Sequence, residues 1–561
     1  MRSSLEIAQE ASLKPIQQIA QSLGLHPDDL EQFGKYMAKI ALSPEREKEI
    51  HKRPRGKYIL VTATSPTPAG EGKTTTSIGL TQGLAYLGKK AIVTLRQPSL
   101  GPVFGVKGGA AGAGYSQVLP MEEINLGFTG DFSRVESAHN LAAAMLDNHI
   151  YRRKKPLFNV SSIQFRRAMD MNDRSLREIV IGLGQENGVS RATGFDITAA
   201  SEIMAILALA SDLQDLKMRM GEVVLGRDSD GKPIRIKDIK AEGAMATIMK
   251  QAIKPNLVQT YEGQPCIMHA GPFGNIAHGC SSIVGDKLAL HLADYVVTEA
   301  GFGSDLGGEK FFDIKCRQSG LFPNAAVLVT TVKALKMHGG EPYDKENLKK
   351  ENVAAMVRGF ANLKKHLENI QAFGVPVVVA LNKFPTDTEA EIQELEGFVK
   401  TSGAYGFAVS DGVADGGKGV AGLARLVDAA ATANPNPKPQ FMYDLEESIE
   451  EKMRKISQKV YGADDIVLGT GVKKKIKQLE EDGFGHLPIC MAKTHLSLSD
   501  DPSKLGAPQG FNITISDIKI SAGAGFIYPL VGKMMTMPGL GAIPAAESID
   551  IDADGKVVGL F

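Results

Sequence analysis

Residues 58–80 read YILVTATSPTPAGEGKTTTSIGL. An apolar run, Tyr58–Thr64, enters a loop that ends Gly72-Lys73-Thr74, and the amphipathic stretch Ser77–Leu87 follows. A strand, a glycine-containing loop and a helix in this order are the context of a phosphate-binding P-loop. The sequence therefore predicts a parallel α/β unit with phosphates bound at the carboxyl end of a strand.

The residue types of this loop suit a nucleoside triphosphate. Gly70 and Gly72 let backbone N–H groups approach phosphate oxygens, and the helix N-terminus attracts negative charge. Lys73 is expected to reach the β- and γ-phosphates, and Thr74 to ligate Mg²⁺. The expected nucleotide contacts are Thr67, Pro68, Ala69, Gly70, Glu71, Gly72, Lys73 and Thr74. Thr67 stands where the usual motif has its first glycine.

Further short Val/Ile-rich runs alternate with helical patterns along the chain. Their apolar residues are consecutive, which is typical of parallel strands covered on both faces. The runs are Tyr58–Thr64, Ala91–Arg96, Tyr295–Thr298, Ala326–Val332 and Val375–Ala380. We therefore expect an α/β fold of P-loop NTPase-like parallel sheets covered by helices, with smaller additional α/β domains.

The clearest linker is residues 434–439, NPNPKP, which cannot sustain a helix or a central strand. A chain of 561 residues is long enough for roughly three or four domains. We predict a P-loop nucleotide-binding α/β domain at residues 1–340, a second α/β domain at 341–434 and a C-terminal domain at 435–561.

Composition narrows the class of protein. The 64 Lys and Arg residues balance 64 Asp and Glu residues, which argues against a nucleic-acid or anionic-membrane polyelectrolyte. Four cysteines form no disulfide framework and favour a reducing compartment. The N-terminal residues lack the apolar segment of a signal peptide, and no apolar run approaches about 18 residues. We expect a cytoplasmic protein that binds neither nucleic acid nor membrane.

A second set of candidate residues follows the predicted strand 91–96. Arg96 falls at its carboxyl end, where a guanidinium can hold phosphate or carboxylate through two hydrogen bonds. The segment Gly101–Gly114 follows, with six glycines in fourteen residues. So few side chains favour close approach of a ligand or of another backbone.

Longer stretches resemble the formate–tetrahydrofolate ligases over essentially the whole chain. The loop TPAGEGKTT, Thr67–Thr75, has that family's form, including its non-glycine start. The other matching stretches are Arg96–Tyr115, Thr193–Asp196, Lys254–Thr260, Asp294–Asp305, Ala334–Gly340, Phe384–Glu389, Met491–Thr494, Ser521–Gly525 and Met535–Gly539. Ordered matches of this length are more specific than the phosphate loop alone.

The resemblance implies an ATP- and Mg²⁺-dependent ligase that acts in two steps on formate and tetrahydrofolate. Formate attacks the γ-phosphate to give formyl phosphate and ADP, and N10 of tetrahydrofolate then takes the formyl group. The implied residues are Lys73, Arg96 and Asp131 for catalysis, and Arg96, Phe384, Val413, Gly108 and Gly109 for folate and formyl phosphate. The family also implies a homotetramer.

Four departures from the family fall inside the implied site. Val413 stands where the family usually has Trp, and this chain contains no tryptophan. Gln97 replaces a glutamate associated with a monovalent cation, so it disfavours that cofactor. Gly127 and Ser133 each replace a histidine. These four departures leave two alternatives open. The chain is either a diverged paralogue with an altered one-carbon acceptor or acid, or a nucleotide-binding protein that does not transfer a formyl group.

A different class also fits the loop alone: a nucleotide-switched protein of the MinD or metallochaperone type, which uses ATP to control dimerisation. Such switches carry a second lysine early in the loop, and none lies between Thr67 and Gly72. Asn382-Lys383 resembles the start of the guanine-reading N-K-x-D motif, but Pro385 stands in the place of the aspartate. A GTP-specific switch is therefore disfavoured.

Three patterns bear on metals. Cys266, His269, His278 and Cys280 are metal-ligating types, but their spacing matches no zinc pattern. Asp550–Gly555 resembles the start of an EF-hand loop, but no exiting helix follows, so we expect a strand–turn–strand. Glu299, after the run at 295–298, is a candidate metal-assisting carboxylate and equally a core-edge carboxylate.

Overall fold

A computed structural model of the chain describes residues 2–68, 70–105, 111–532 and 534–560. The strands are β1 (Leu30–Phe33), β2 (Met37–Ile40), β3 (Lys57–Ala63), β4 (Ala91–Leu95), β5 (Gly112–Ala113), β6 (Ser116–Leu119), β7 (Arg167–Met169), β8 (Ile179–Ile181), β9 (Arg191–Thr193), β10 (Phe195–Ile197), β11 (Val224–Arg227), β12 (Pro233–Arg235), β13 (Asn256–Thr260), β14 (Pro265–Met268), β15 (Tyr295–Glu299), β16 (Ala325–Thr330), β17 (Val377–Asn382), β18 (Gly406–Ser410), β19 (Asp465–Leu468), β20 (Asn512–Ser521), β21 (Phe526–Val531), β22 (Asp550–Ile551) and β23 (Val557–Val558).

The helices are α1 (Ser4–Gln9), α2 (Ile16–Ser22), α3 (Pro44–His51), α4 (Lys73–Tyr86), α5 (Leu100–Phe104), α6 (Met121–Asn125), α7 (Asp131–Tyr151), α8 (Glu202–Leu209), α9 (Leu213–Glu222), α10 (Glu242–Met249), α11 (Ile283–Leu290), α12 (Arg317–Ser319), α13 (Val332–His338), α14 (Val353–Gln371), α15 (Glu389–Thr401), α16 (Gly412–Gly419), α17 (Ala421–Ala433), α18 (Ile449–Ile456) and α19 (Val472–Glu481). Wider π-helical turns occur at Ser304–Gly308, Phe311–Cys316 and Ser457–Tyr461.

The main sheet of the described residues has twelve strands. Ten of them lie in the order β1-β2-β13-β14-β4-β15-β3-β16-β17-β18, whereas β6 pairs with β13 and β5 pairs with β6. From β14 to β18 the neighbours in this order run parallel. The prediction of an α/β fold is thereby confirmed as a large, mostly parallel sheet with helices.

The central strands read as unbroken apolar runs because both faces of the sheet are covered. In β3, Tyr58 and Leu60 belong to one buried apolar cluster, whereas Ile59 and Val61 belong to a second. Successive side chains of a strand point to opposite faces, so a covered sheet needs apolar residues at every position. Polar and charged groups are consequently displaced to the loops at the strand ends.

The five predicted strands are confirmed, with ends that differ by one or two residues. Val332 begins α13 instead of ending β16, because the Thr331 hydroxyl caps that helix by accepting from the Ala334 N–H at 3.0 Å. The strand predicted from Val375 begins at Val377. Pro376 precedes it and has no N–H to donate to a ladder.

The C-terminal part adds a small sheet, β19-β20-β21. Residues 434–439 form neither helix nor strand, as predicted, and β22 pairs with β23 in the expected strand–turn–strand. Leu363 and Phe511, from either side of the linker, belong to one apolar cluster. The domain boundaries at 340 and 434 stay predictions. None of the helices in the described ranges is both long and apolar enough to cross a membrane.

Helices α13 and α14 approach each other unusually closely. A Cβ added at Gly359 would lie 1.9 Å from the Leu335 carbonyl oxygen. We therefore expect Gly359→Ala to force the helices apart and lower the free energy of unfolding by about 1–3 kcal/mol. Thermal and denaturant unfolding of the purified variant measures this loss.

The matched control is Gly397→Ala on exposed α15, where an added Cβ meets nothing within 4 Å. Alanine is favoured over glycine in a helix interior by roughly 0.5–1 kcal/mol, so this variant should be slightly more stable than the parent chain. Equal unfolding free energies for the two variants would contradict the close-packing argument.

Candidate active site

The site begins in the loop between β3 and α4, whose path depends on two left-handed glycines. Gly70 and Gly72 both have φ +75°. The Gly70 N–H donates to the Thr67 carbonyl at 3.0 Å and closes a turn. A Cβ at Gly72 would lie 2.2 Å from Asn382 Nδ2, so the position has room for glycine alone. Ala69 lies outside the described residues.

Glu71 braces this loop from inside. Its side chain is buried, and Oε1 accepts the Thr67 N–H at 2.6 Å. Asn382, the last residue of β17, donates Nδ2 to the Glu71 carbonyl at 3.2 Å. The hydroxyl of Thr67 is buried without a hydrogen-bond partner. Hydrogen bonds thus hold the loop at Thr67 and at Glu71, while the Thr67 hydroxyl remains without a hydrogen-bond partner.

Lys73 and Thr74 open helix α4 beside an acidic residue of the next strand. Thr74 Oγ1 donates to Glu299 Oε2 at 2.8 Å, and Glu299 is the buried last residue of β15. Desolvation lowers the pKa of Lys73, although Glu71 and Glu299 both oppose the shift. A hydroxyl and a carboxylate side by side are hard oxygen donors of the type that Mg²⁺ prefers.

Arg96 follows β4 directly, as predicted. Its Nη1 donates to the Pro272 carbonyl at 3.1 Å, and the guanidinium packs on Gly301, where a Cβ would lie 3.1 Å from Nη2. Its Nε is buried without a hydrogen-bond partner. The Arg96 charge contributes to the lowered pKa of Lys73, so the two cations act on one region.

Asp131, the first residue of α7, is fully engaged by other side chains. Its Oδ1 lies 2.8 Å from Lys39 Nζ, and Oδ2 accepts from Gln97 Nε2 at 2.7 Å and from Asn256 Nδ2 at 2.8 Å. Lys39, Asn256 and Asp131 are all buried. Because Gln97 follows Arg96 in the chain, this cluster anchors the segment that carries the guanidinium.

Phe384 and Val413 lie after β17 and β18. Lys333 Nζ stands 4.0 Å from the centroid of the Phe384 ring, a cation–π contact. The Val413 carbonyl accepts the Tyr115 N–H at 3.1 Å, and a Cβ on Gly114 would lie 2.3 Å from that oxygen. Val413 therefore contacts the end of the glycine run. Gly108 and Gly109 of that run lie outside the described residues.

The parallel sheet brings most of the predicted site residues to one edge. The loop follows β3, Arg96 follows β4, Glu299 ends β15, and Phe384 and Val413 follow β17 and β18. These strands are consecutive in the sheet apart from β16, which lies between β3 and β17. Carboxyl ends of parallel strands share an edge, as the sequence predicted.

Several residues that support the site are not marked by any sequence pattern. Lys39, Asn256 and Lys333 lie in no functional motif, and Asn382 belongs only to the incomplete guanine-reading pattern. Asn256 lies in residues 254–260, a stretch that resembles the family, and this resemblance is the one sequence feature that points to it. The family resemblance implies a catalytic role for Asp131, and in the structure its two carboxylate oxygens lie against side-chain donors.

Three of the four positions at which the chain departs from the family line one cleft. A cavity of about 300 Å³ is lined by Gln97, Gly127 and Ser133, next to the Asp131 cluster. A larger cavity of about 460 Å³ lies elsewhere, against β11 and β20, and includes none of the predicted site residues. Within the described residues, no group of three or more His, Cys, Asp or Glu side chains is arranged to hold a metal.

Both a family model and a curated relative match the chain along essentially its full length. The family described as formate–tetrahydrofolate ligase matches residues 2–561. A curated protein named formate–tetrahydrofolate ligase, from Symbiobacterium thermophilum, is 54% identical over 563 residues and covers 100% of both chains. The similarity therefore includes every segment from which the site is built.

Proposed function

Because the chain belongs to the formate–tetrahydrofolate ligase family, we propose that it uses ATP to join formate to N10 of tetrahydrofolate. The products are 10-formyltetrahydrofolate, ADP and phosphate. One observation carries the proposal: the phosphate loop, Arg96 and Glu299 meet at one sheet edge in a chain that matches the family throughout. The match at 54% identity favours this activity over a nucleotide switch or a paralogue without formyl transfer.

The loop between β3 and α4 is the proposed ATP phosphate site, in a P-loop NTPase-like arrangement. Gly70 and Gly72 keep side chains out of the loop, and the N-terminus of α4 points at it. Thr67 Oγ1, buried without a partner, is a donor that a phosphate oxygen would satisfy. Lys73 supplies the positive charge at the β- and γ-phosphates.

The donor set beside the loop fits Mg²⁺. Thr74 Oγ1 and Glu299 Oε2 already lie 2.8 Å apart, and both are hard oxygen donors. Mg²⁺, when bound, neutralises part of the charge on the transferring phosphoryl group. Thr74 is the proposed direct ligand, and Glu299 orients its hydroxyl.

The chemistry proceeds by phosphorylation of formate. A formate oxygen attacks the γ-phosphorus, and the bond from that phosphorus to the oxygen that leaves with ADP breaks. Lys73 and Arg96 stabilise the charge that spreads over the phosphoryl oxygens. The step is required because formate would otherwise have to expel an oxide, whereas phosphate is a good leaving group.

Arg96 then holds the formyl phosphate while N10 of tetrahydrofolate attacks its carbonyl carbon. The carbon–oxygen bond to phosphate breaks, phosphate keeps the bridging oxygen, and the proton lost from N10 leaves with the phosphate. Phe384 forms one wall of the folate pocket, with Val413, Gly108 and Gly109 nearby. The mixed anhydride would hydrolyse in water, so the site must close around it.

Asp131 acts in this scheme as a positioning residue. Neighbouring side chains contact both of its carboxylate oxygens, and it is about 1% exposed, so it reaches substrate only through Gln97 and the adjoining Arg96. Its role is to hold that segment in place.

The same cluster does not suit a monovalent cation. Lys39 Nζ is surrounded by oxygens, with Asp131 Oδ1 at 2.8 Å, Asn256 Oδ1 at 2.9 Å and the Lys254 carbonyl at 3.0 Å. The lysine thus supplies the positive charge that Asp131 requires, and the neutral Gln97 adds no further negative charge. We propose that this chain needs no potassium-like ion at this cluster.

Three further features remain proposals. The second α/β domain, residues 341–434, contributes β17 and β18 and with them the folate wall. A homotetramer follows from the family resemblance. A cytoplasmic location follows from the four free, buried cysteines.

The proposal is tested with purified protein, Mg-ATP, formate and tetrahydrofolate, quenched in acid to convert the product to its methenyl form. Lys73→Ala should abolish ADP release, because the phosphoryl charge loses its partner. Arg96→Ala should abolish methenyl product while Mg-ATP still binds in calorimetry. Lys400→Ala, an exposed lysine on α15, is the control and should behave as wild type. Full activity in either site variant would remove its assigned role.

Val413→Trp should lower the KM for tetrahydrofolate by roughly twofold to tenfold. An aromatic stack with the folate ring contributes about 0.5–1.5 kcal/mol beyond the buried area. Initial rates at varied tetrahydrofolate measure the change, with the KM for ATP as the internal control. An unchanged or raised KM for tetrahydrofolate would show that Val413 does not face the folate ring.

Product formation should be equal in potassium and tetramethylammonium buffers, because Lys39 already balances Asp131. Gln97→Glu adds a second buried carboxylate to the cluster, so this variant should require added potassium or ammonium. Steady-state rates in the two buffers measure both effects. A wild-type enzyme that loses activity without potassium would contradict the proposed role of Lys39.

A further inference from the structure

A buried network holds the residue at which the chain leaves β3 for the phosphate loop. Ser65 lies two residues after the strand and two before Thr67. Its N–H donates to Asn362 Oδ1 at 3.3 Å, and its carbonyl accepts from His338 Nε2 at 3.0 Å. Its hydroxyl lies 2.9 Å from His366 Nε2 and accepts from Asn362 Nδ2 at 3.0 Å. Side chains thus bind every polar atom of Ser65.

These partners come from the two close-packed helices described above. His338 ends α13, whereas Asn362 and His366 are four residues apart and so share one face of α14. Ser65, Asn362 and His366 are completely buried. A buried polar group that loses its partner costs far more than the same loss at the surface, so the set acts as one unit.

The network continues to two other segments. His366 Nδ1 lies 2.7 Å from Ser304 Oγ, five residues after Glu299. Gly506, in the C-terminal part, accepts from Asn362 Nδ2 at 2.8 Å and donates its N–H to His338 Nδ1 at 3.3 Å. The start of the phosphate loop and the segment after the metal-assisting carboxylate are therefore tied to one helix.

The hydrogen bonds of His338 require a neutral imidazole. His338 donates from Nε2 to a carbonyl and accepts at Nδ1, which only the neutral ring with its proton on Nε2 can do. Burial lowers the pKa of His338, and it lowers the pKa of His366 to about 4, although the nearby Asp305 carboxylate opposes both shifts. Both rings are accordingly uncharged at neutral pH.

We propose that His366, with Asn362 and His338, is a positioning residue for nucleotide binding that fixes Ser65 and hence the path of the phosphate loop. This inference rests on the proposed ATP site at that loop. A phosphate-binding loop works only when its N–H groups converge within about 0.5 Å of their productive positions. The side-chain bonds to Ser65 supply that restraint where the strand's own ladder has ended.

The test separates the two contacts of His366. His366→Gln can place an amide near the Nε2 position and keep the bond to Ser65, whereas His366→Asn reaches only the Nδ1 side and keeps Ser304. We expect His366→Asn to weaken Mg-ATP binding at least about tenfold and to raise the KM for ATP more than it lowers kcat. His366→Gln should remain within about threefold of wild type. Calorimetric titration with Mg-ATP measures the affinities.

The matched control is His139→Asn. His139 is likewise buried, with Ser201 Oγ at 2.7 Å from Nδ1 and the Arg166 carbonyl at 3.0 Å from Nε2, but it contacts no part of the loop. Its substitution should lower the melting temperature as His366→Asn does and leave Mg-ATP affinity unchanged. Equal nucleotide affinities in folded His366→Asn and wild type would overturn the inference.

A second variant keeps the inference testable if His366→Asn does not fold. Ser65→Ala removes only the hydroxyl, and it should weaken Mg-ATP binding by roughly threefold to tenfold, since one restraint of the set is lost. Wild-type affinity in a folded Ser65→Ala would likewise overturn the inference. Wild-type protein that binds no Mg-ATP would overturn the proposed function, and this inference with it.

Discussion

The site depends on the close approach of Gly72 to Asn382. The phosphate loop of β3 folds onto the end of β17 because no Cβ separates the two, and Asn382 Nδ2 then donates to the Glu71 carbonyl. The strand that ends at Asn382 leads within two residues to Phe384, on the proposed folate wall. One contact therefore sets the distance between the proposed phosphate site and the proposed acceptor pocket.

A cluster of buried charged side chains determines where Arg96 lies in the site. Arg96 lies at the edge of the sheet, but its neighbour Gln97 reaches back to Asp131, which is balanced by Lys39. A buried carboxylate without such a partner would be strongly destabilising, so this cluster fixes the backbone beside Arg96. The guanidinium keeps a buried Nε without a hydrogen-bond partner, and this rigid support holds it in place for its proposed contact with phosphate.

The sequence predicts the central strands and the phosphate loop because both are local patterns. Consecutive apolar residues mark covered strands, and the loop carries its glycines and lysine within eight residues. It does not predict the partners of Asp131, since Lys39 and Asn256 are 92 and 125 residues away in the chain. The support of Ser65 is equally non-local: His366 lies 301 residues away, and no motif records that pairing.

The proposed activation of formate as formyl phosphate at the loop and Arg96 fixes where each formate oxygen goes. Formate labelled with ¹⁸O on both oxygens tests it directly, with mass analysis of the phosphate released during synthesis of 10-formyltetrahydrofolate. One ¹⁸O is expected in each phosphate, because the bridging oxygen comes from formate and leaves with phosphorus. Unlabelled phosphate accompanying labelled 10-formyl product would contradict it.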